Sequence, residues 1–154
     1  MSEVIFLVLK SMLRLRFPSV EIFAFKLYFR KRCTQRNCSI NIKELKPAPN
    51  SAKDAIQIET AIPKGAHVIA LDERGKDQTT QNLATQLANW RQEGFDITFL
   101  IGGADGLDLS LKEDAQAIWR LSSLTLPHAM ARVLLVEQLY RAWTILQGHP
   151  YHRE

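Results

Sequence analysis

The feature that most constrains the fold is an alternation of strand-like and helix-like segments in the second half of the chain. Short apolar runs rich in β-branched and aromatic residues predict strands at residues 67–71, 95–101 and 117–121. Between them, the spacing of apolar side chains predicts helices at residues 79–91 and 109–116. Alternation of this kind is typical of an α/β fold in which helices flank a parallel sheet.

A further helix is predicted at residues 127–146, where Pro127 suits the first helical position and Gly148 suits the C-terminal stop. Apolar side chains occupy most sides of this helix and leave only a narrow polar strip. Such a helix must be covered widely, either by the core of its own domain or by a second subunit. A two-fold symmetric dimer is the economical form of the second alternative.

The first 66 residues carry weaker signals. We predict a strand at residues 3–9, a helix at 18–32, a strand at 41–45, a turn at 47–51 and a helix at 52–62. The turn is too short to separate two domains, and a content of 46% hydrophobic and 23% charged residues is that of a globular chain. We therefore expect one domain over residues 1–154.

Neither a membrane nor a metal is an expected partner. No apolar stretch approaches the roughly 20 residues that span a bilayer, which predicts a soluble, cytoplasmic protein. Cys33 and Cys38 have no second cysteine pair and no histidine at zinc-finger spacing, so neither a metal site nor a disulfide framework is expected.

Positive charge is concentrated at the start of the chain. Residues 1–40 carry eight basic side chains against two acidic ones, whereas the whole chain has a net charge of +4. Clustered Arg and Lys attract phosphate and give nucleic-acid affinity that is independent of base sequence. A merely solvated basic surface is the alternative.

Three glycines in five residues, Gly102, Gly103 and Gly106, follow the strand predicted at residues 95–101. Glycine lets the backbone approach a ligand closely and adopt conformations that other residues resist. The spacing is neither that of a dinucleotide-binding loop nor that of a phosphate-binding Walker loop. The loop is therefore either a ligand site of another kind or a tight turn without a ligand.

Groups that bind and transfer protons are concentrated near residue 150. His149, Tyr151, His152 and Arg153 include imidazoles that can accept or donate a proton, a phenol that can stack on a base and a guanidinium that can bind phosphate with two hydrogen bonds. His128, beside Pro127, is a further titratable candidate. An ordinary polar tail and a hydrogen-bonding residue at a helix start are the respective alternatives.

Five linked segments resemble, in order and spacing, the RlmH type of SPOUT methyltransferase. They are residues 68–72, 100–106, 121–128, 137–142 and 149–153, so that the resemblance covers about residues 64–154. The first 45 residues depart from the family pattern. The resemblance implies methylation of N3 of a pseudouridine in 23S rRNA of the large ribosomal subunit, with S-adenosylmethionine as the methyl donor.

The resemblance also implies a deep trefoil knot in the C-terminal part of the α/β domain, with the cofactor bound in the knot. The implied cofactor-binding residues are Leu71, Gly102, Gly103, Leu121, Ser122, Ser123, Leu124, Thr125 and Leu126. Backbone groups of these loops can hydrogen-bond adenine and ribose, and the leucines can enclose the ring.

The implied assembly is a homodimer with the last helix in the interface and the tail of one subunit completing the site of the other. Because the methyl group of the cofactor is already activated, the enzyme must mainly align it with N3 and help to remove the N3 proton. His128, Tyr151 and His152 are candidates for that assistance, and Arg153 for holding a phosphate or a carbonyl of the base.

Three other functions remain as alternatives. The first is a SPOUT methyltransferase acting on tRNA or on a ribose hydroxyl, against which residues 149–153 argue. The second is a noncatalytic RNA-binding or ribosome-assembly protein that keeps the same fold. The third, a nucleotide-dependent oxidoreductase, is disfavoured by the spacing of the glycines.

Overall fold

A five-stranded sheet with helices on its faces is the centre of the structure. The computed structural model describes residues 22–29, 38–45, 51–103 and 106–151. Its elements are β1 (Ile22–Phe29), β2 (Cys38–Leu45), α1 (Ser51–Ala61), β3 (His67–Asp77), α2 (Thr80–Glu93), β4 (Ile97–Ile101), α3 (Leu109–Glu113), β5 (Ala117–Arg120) and α4 (His128–Leu146). The strand order is β2-β1-β4-β3-β5.

Three neighbouring strands form the predicted parallel sheet. β3 lies between β4 and β5 and is parallel to both, with Leu71 opposite Ile101 on one side and Trp119 on the other. β1 pairs antiparallel with β4, and β2 pairs antiparallel with β1. The sheet is therefore mixed, with a parallel part formed by β4, β3 and β5.

The helix predicted at residues 18–32 is wrong, because residues Ile22–Phe29 form strand β1. Phe23, Phe25 and Leu27 alternate with the two-residue period of a strand. Each of these three positions lies opposite an apolar residue of β4 in the sheet register. The strand predicted at residues 3–9 lies outside the described residues.

Each face of the sheet carries its own apolar core. On one face Ile69, Phe99 and Trp119 pack with buried residues of α2 and α4, such as Leu87 and Leu135. On the opposite face Val68, Ala70 and Leu100 pack with residues of α1 and α3. Successive strand residues point to opposite faces, which explains why neighbours such as Val68 and Ile69 belong to different cores.

Local chemistry sets the ends of the helices. The N–H of Asn82 donates to Thr79 Oγ1 at 3.1 Å, which caps the start of α2. Gly94 ends α2 in the left-handed conformation, with φ of 72°. Pro127 occupies the N-cap position of α4 and not the predicted first helical position, so the helix begins one residue later, at His128. No described helix combines the length and the apolarity that a membrane span requires.

Candidate functional site

The carboxyl ends of the three parallel strands lie at one edge of the sheet. Leu71 stands at this edge between Ile101 and Trp119. Gly102 and Gly103 directly follow β4, and residues 121–126 directly follow β5. In sheets of this type, ligands bind outside the carboxyl ends of the strands. The structure thus brings the sequence-predicted cofactor residues to a single edge.

The glycine loop is a tight turn. The N–H of Gly106 donates to the carbonyl of Gly103 at 3.1 Å, and Gly106 has φ of +79°. A Cβ at Gly102 would lie 2.5 Å from the carbonyl carbon of Gly106 and 2.7 Å from the N of Leu107. Glycine at position 102 is therefore required by the turn itself, with or without a ligand.

The segment after β5 offers polar backbone and apolar surface together. Within the described part of the chain, residues 122–126 make no hydrogen bond to another backbone group. The N–H of Leu124 donates to Ser122 Oγ at 3.0 Å, and the Leu124 side chain is 74% exposed. Backbone amide and carbonyl groups beside an exposed leucine suit a flat ring that carries hydrogen-bonding nitrogens, such as adenine.

A bulge in β3 borders this edge. Leu71 and Lys76 both lie opposite Trp119, so the four residues between them leave the sheet register. The N–H of Arg74 donates to Asp72 Oδ1 at 2.9 Å within the bulge. A Cβ at Gly75 would lie 2.7 Å from the carbonyl oxygen of Trp119, so the bulge rests directly on the β5 backbone.

An ion pair lies at each end of the bulge. Lys112 Nζ of α3 lies 2.5 Å from Asp72 Oδ2, and the hydrogen bond from Lys112 lowers the pKa of Asp72. At the other end, Arg120 donates from Nε to Asp77 Oδ1 at 2.8 Å and from Nη2 to Oδ2 at 2.5 Å. These bonds lower the pKa of Asp77 and raise that of Arg120.

Sequence reasoning missed both ion pairs. Asp72 and Lys112 are 40 positions apart, and no local spacing marks two residues that meet only because β3 and α3 adjoin. Gly75, which is part of the bulge, lies four residues beyond the strand predicted at residues 67–71, so it did not mark an interruption within a strand.

The catalytic candidates are divided between the two ends of α4. His128 is the first residue of the helix and so stands beside residues 121–126. The Tyr151 ring instead packs edge-on against Tyr140, with centroids 4.9 Å apart, and the Arg141 guanidinium lies 5.5 Å from the Tyr151 centroid. At about 1.5 Å of rise per residue, Tyr140 lies about 18 Å along the axis from His128.

Tyr151 therefore does not meet His128 within one chain. Its N–H donates to His149 Nδ1 at 3.3 Å, which keeps residues 149–151 folded near the C-terminal part of α4. His152 and Arg153 lie outside the described residues. Among the residues that the structure describes, no group of three or more His, Cys, Asp or Glu could hold a metal ion.

Comparison with known proteins gives one family and close relatives. A family model described as "Predicted SPOUT methyltransferase" matches residues 21–152. The relative named "Ribosomal RNA large subunit methyltransferase H" in Polynucleobacter asymbioticus is 83% identical over 118 residues, which is 77% of this chain and 80% of the relative. A protein of the same name in Polynucleobacter necessarius subsp. necessarius is 84% identical over 116 residues, covering 75% and 86%. Another, in Paraburkholderia xenovorans, is 58% identical over 123 residues, covering 74% and 79%.

Proposed function

The chain belongs to the SPOUT methyltransferase family, and on that premise we propose that it transfers the methyl group of S-adenosylmethionine to N3 of a pseudouridine in 23S rRNA. The names of its relatives support large-subunit rRNA as the substrate. The observation that carries the proposal is the convergence of Leu71, the glycine loop and residues 121–126 at one edge of the parallel sheet.

The cofactor-binding residues of the proposal are Leu71, Gly102, Gly103 and residues 121–126. Leu71 and Leu124 would enclose the adenine ring, while backbone groups of Gly103 and residues 122–126 would hydrogen-bond adenine and ribose. When bound, the cofactor supplies a methyl group already activated as a sulfonium. The proposal includes a deep trefoil knot within about residues 64–154, as the family resemblance implies.

The protein's own contribution to the chemistry is alignment and proton removal. N3 must lose its proton as it accepts the methyl group, and an imidazole can accept a proton near neutral pH. We assign this assistance to His128, because it begins α4 beside the cofactor segment. Tyr151 and His152 are the further candidates, and Arg153 would hold a phosphate or a carbonyl of the base.

We propose a homodimer, because the outer side of α4 carries apolar residues that its own core covers only in part. Leu135 and Leu139 pack into the core on the inner side of the helix. Helical spacing places Met130, Val133 and Tyr140 together on the outer side, and Met130 is 59% exposed. A two-fold interface would cover this outer side.

The dimer also explains the separation of the catalytic candidates. Tyr151 packs on Tyr140 and so is carried by the outer side of α4, toward the proposed partner. In a two-fold dimer the tail of one subunit can then reach the cofactor edge of the other. This arrangement would unite His128 with residues 151–153 in one composite site.

Methyl transfer from labelled S-adenosylmethionine to ribosomes tests the proposal. The ribosomes come from a strain that lacks this enzyme, and the product is mapped by mass spectrometry. We expect label on N3 of one 23S rRNA pseudouridine. Gly103→Trp, which fills the glycine loop, should abolish the label, whereas the surface variant Ile56→Ala on α1 should leave it unchanged.

Other outcomes point elsewhere. Label on tRNA or on a ribose hydroxyl would contradict the substrate. A folded protein that neither labels ribosomes or free rRNA nor binds S-adenosylmethionine would contradict the enzymatic function and favour a noncatalytic RNA-binding protein.

A further inference from the structure

The Asp72–Lys112 ion pair joins two of the three segments that converge at the candidate site. Asp72 directly follows Leu71 at the end of the part of β3 that pairs with β4. Lys112 belongs to α3, which begins three residues after Gly106 of the glycine loop. We propose that Asp72 and Lys112 are positioning residues that fix the glycine loop against Leu71 and thereby set the affinity for the cofactor. This inference rests on the proposed function.

The Asp72 carboxylate makes one contact to α3 and one within its own strand. Oδ2 contacts Lys112 Nζ at 2.5 Å, and Oδ1 accepts the N–H of Arg74 at 2.9 Å. One oxygen therefore binds α3 and the other orders the bulge of its own strand. Loss of either charge would break the link to α3, whereas an amide at position 72 keeps an oxygen that can still accept the N–H of Arg74.

α3 itself buries little. It contains five residues, of which only Leu111 is buried. Leu111 packs with Leu107, which directly follows Gly106, into the core formed with α1, and this apolar contact sets the depth of the helix. Lys112, the next residue, adds a directional contact from the helix to β3. Together with the apolar contacts, it limits where the chain leaving Gly106 can lie.

The burial of the pair makes it more than an ordinary surface contact. The Lys112 and Asp72 side chains are 24% and 15% exposed. When charges are this well covered, removing one partner leaves the other partly desolvated and unpaired, which displaces it from its position. The same carboxylate also has its pKa lowered chiefly by Lys112, in keeping with a persistent bond.

The chain contains a matched control. The Asp77–Arg120 pair also joins β3 to a neighbouring element, and its side chains are 68% and 33% exposed. Because Asp77 is much more exposed than Asp72, solvent screens this pair more, and we expect it to contribute less than the Asp72–Lys112 pair. Arg120 precedes residues 121–126, so its replacement tests whether any ion pair near the edge affects the cofactor.

The experiment measures Kd for S-adenosylmethionine by calorimetry, and KM and kcat with ribosomes, for Lys112→Met, Asp72→Asn and Arg120→Met. We expect Kd and KM to rise about tenfold in the first two variants, equivalent to about 1.4 kcal/mol. kcat at saturating cofactor should stay near the wild-type value, because the reacting groups are untouched. Lys112→Arg, which keeps the charge, should retain most of the affinity, and Arg120→Met should match the wild type.

The double variant carrying Asp72→Asn and Lys112→Met should bind no more weakly than the weaker single variant, since either single change already removes the Asp72–Lys112 contact. Unchanged Kd in both single variants, or an equal loss in Arg120→Met, would overturn the inference. Should the neutral variants fail to fold, Asp72→Glu decides instead, because one added methylene shifts the carboxylate: weaker binding supports positioning and unchanged Kd overturns it. A wild-type protein that binds no S-adenosylmethionine would refute the proposed function itself.

Discussion

Close approaches between backbones explain two glycines at the candidate site. At position 75 a Cβ would meet the backbone of Trp119, and at position 102 it would meet the backbone of Gly106 and Leu107. Backbone atoms cannot turn away as a flexible side chain can, so the smallest side chain already forces a strand or a loop to move. These positions hold β3 on β5 and close the glycine loop.

Gly75→Ala should therefore destabilise the protein. We expect a loss of about 1–3 kcal/mol in the free energy of unfolding, the usual cost of overpacking. The measurement is urea denaturation followed by circular dichroism. Gly65→Ala is the control, because a Cβ there meets nothing within 4 Å and only the left-handed backbone, with φ of +76°, opposes it. Equal stability of Gly75→Ala and wild type would contradict the described contact with β5.

Single residues of the site were predictable only where the local sequence marks them. The clustered glycines at positions 102, 103 and 106 indicated either a ligand-binding loop or a tight turn, and in the structure Gly103 and Gly106 close a tight turn. Its binding role came from the family resemblance. Asp72 and Lys112 carried no local signal, because their meeting depends on the packing of α3 beside β3.

At the scale of elements, the segments after residue 50 were well predicted and β1 was not. Strands β3 to β5 and helices α1 to α4 each match a predicted segment, with ends shifted by at most three residues except in β3, which continues six residues beyond its predicted end to Asp77. Their apolar patterns are long or compact enough to decide the type of element. In residues 18–32 apolar and basic side chains are interspersed, and the choice of strand is made by pairing with β4, about 75 positions further along the chain.

The cap of α2 provides a test at this scale. Thr79→Ala removes the hydroxyl that accepts the Asn82 N–H, and should lower the free energy of unfolding by about 1 kcal/mol. In a chain of this length that corresponds to a fall of about 2–4 °C in Tm. Thermal unfolding followed by circular dichroism measures it. Thr79→Ser keeps the hydroxyl and should retain the wild-type Tm, so an equal fall in both variants would rule out the cap as the cause.

At the scale of the whole molecule, α4 both packs on the sheet and separates two groups of candidate residues. Its inner side completes one core of the sheet, and its ends separate His128 from Tyr151. The sequence pattern, apolar on most sides, predicted that this helix needs wide cover. It could not tell which side belongs to the core, because that depends on where α2 and the sheet lie.

Mixing two inactive variants tests the proposed composite site. Gly103→Trp damages the cofactor edge and Tyr151→Ala damages the tail, so each homodimer should lack activity. A hybrid dimer retains one intact edge facing one intact tail, and random mixing should restore about a quarter of the wild-type activity. Methyl transfer to ribosomes is the measurement, with native mass spectrometry to verify hybrids. Absence of recovery once hybrids have formed would show that both residues act within the same subunit.

The parallel pairing of β3 with β5 also governs when the chain can fold during its own synthesis. β3 leaves the ribosome before β5, which covers one of its edges, and before α4, whose Leu135 packs on the same core as Trp119. Until β5 has been translated the nascent chain keeps an open strand edge, and until α4 has been translated part of the core stays exposed to water, which favours aggregation or chaperone binding. The sheet can therefore complete its folding only after β5 and α4, the last two of its described elements, have been translated.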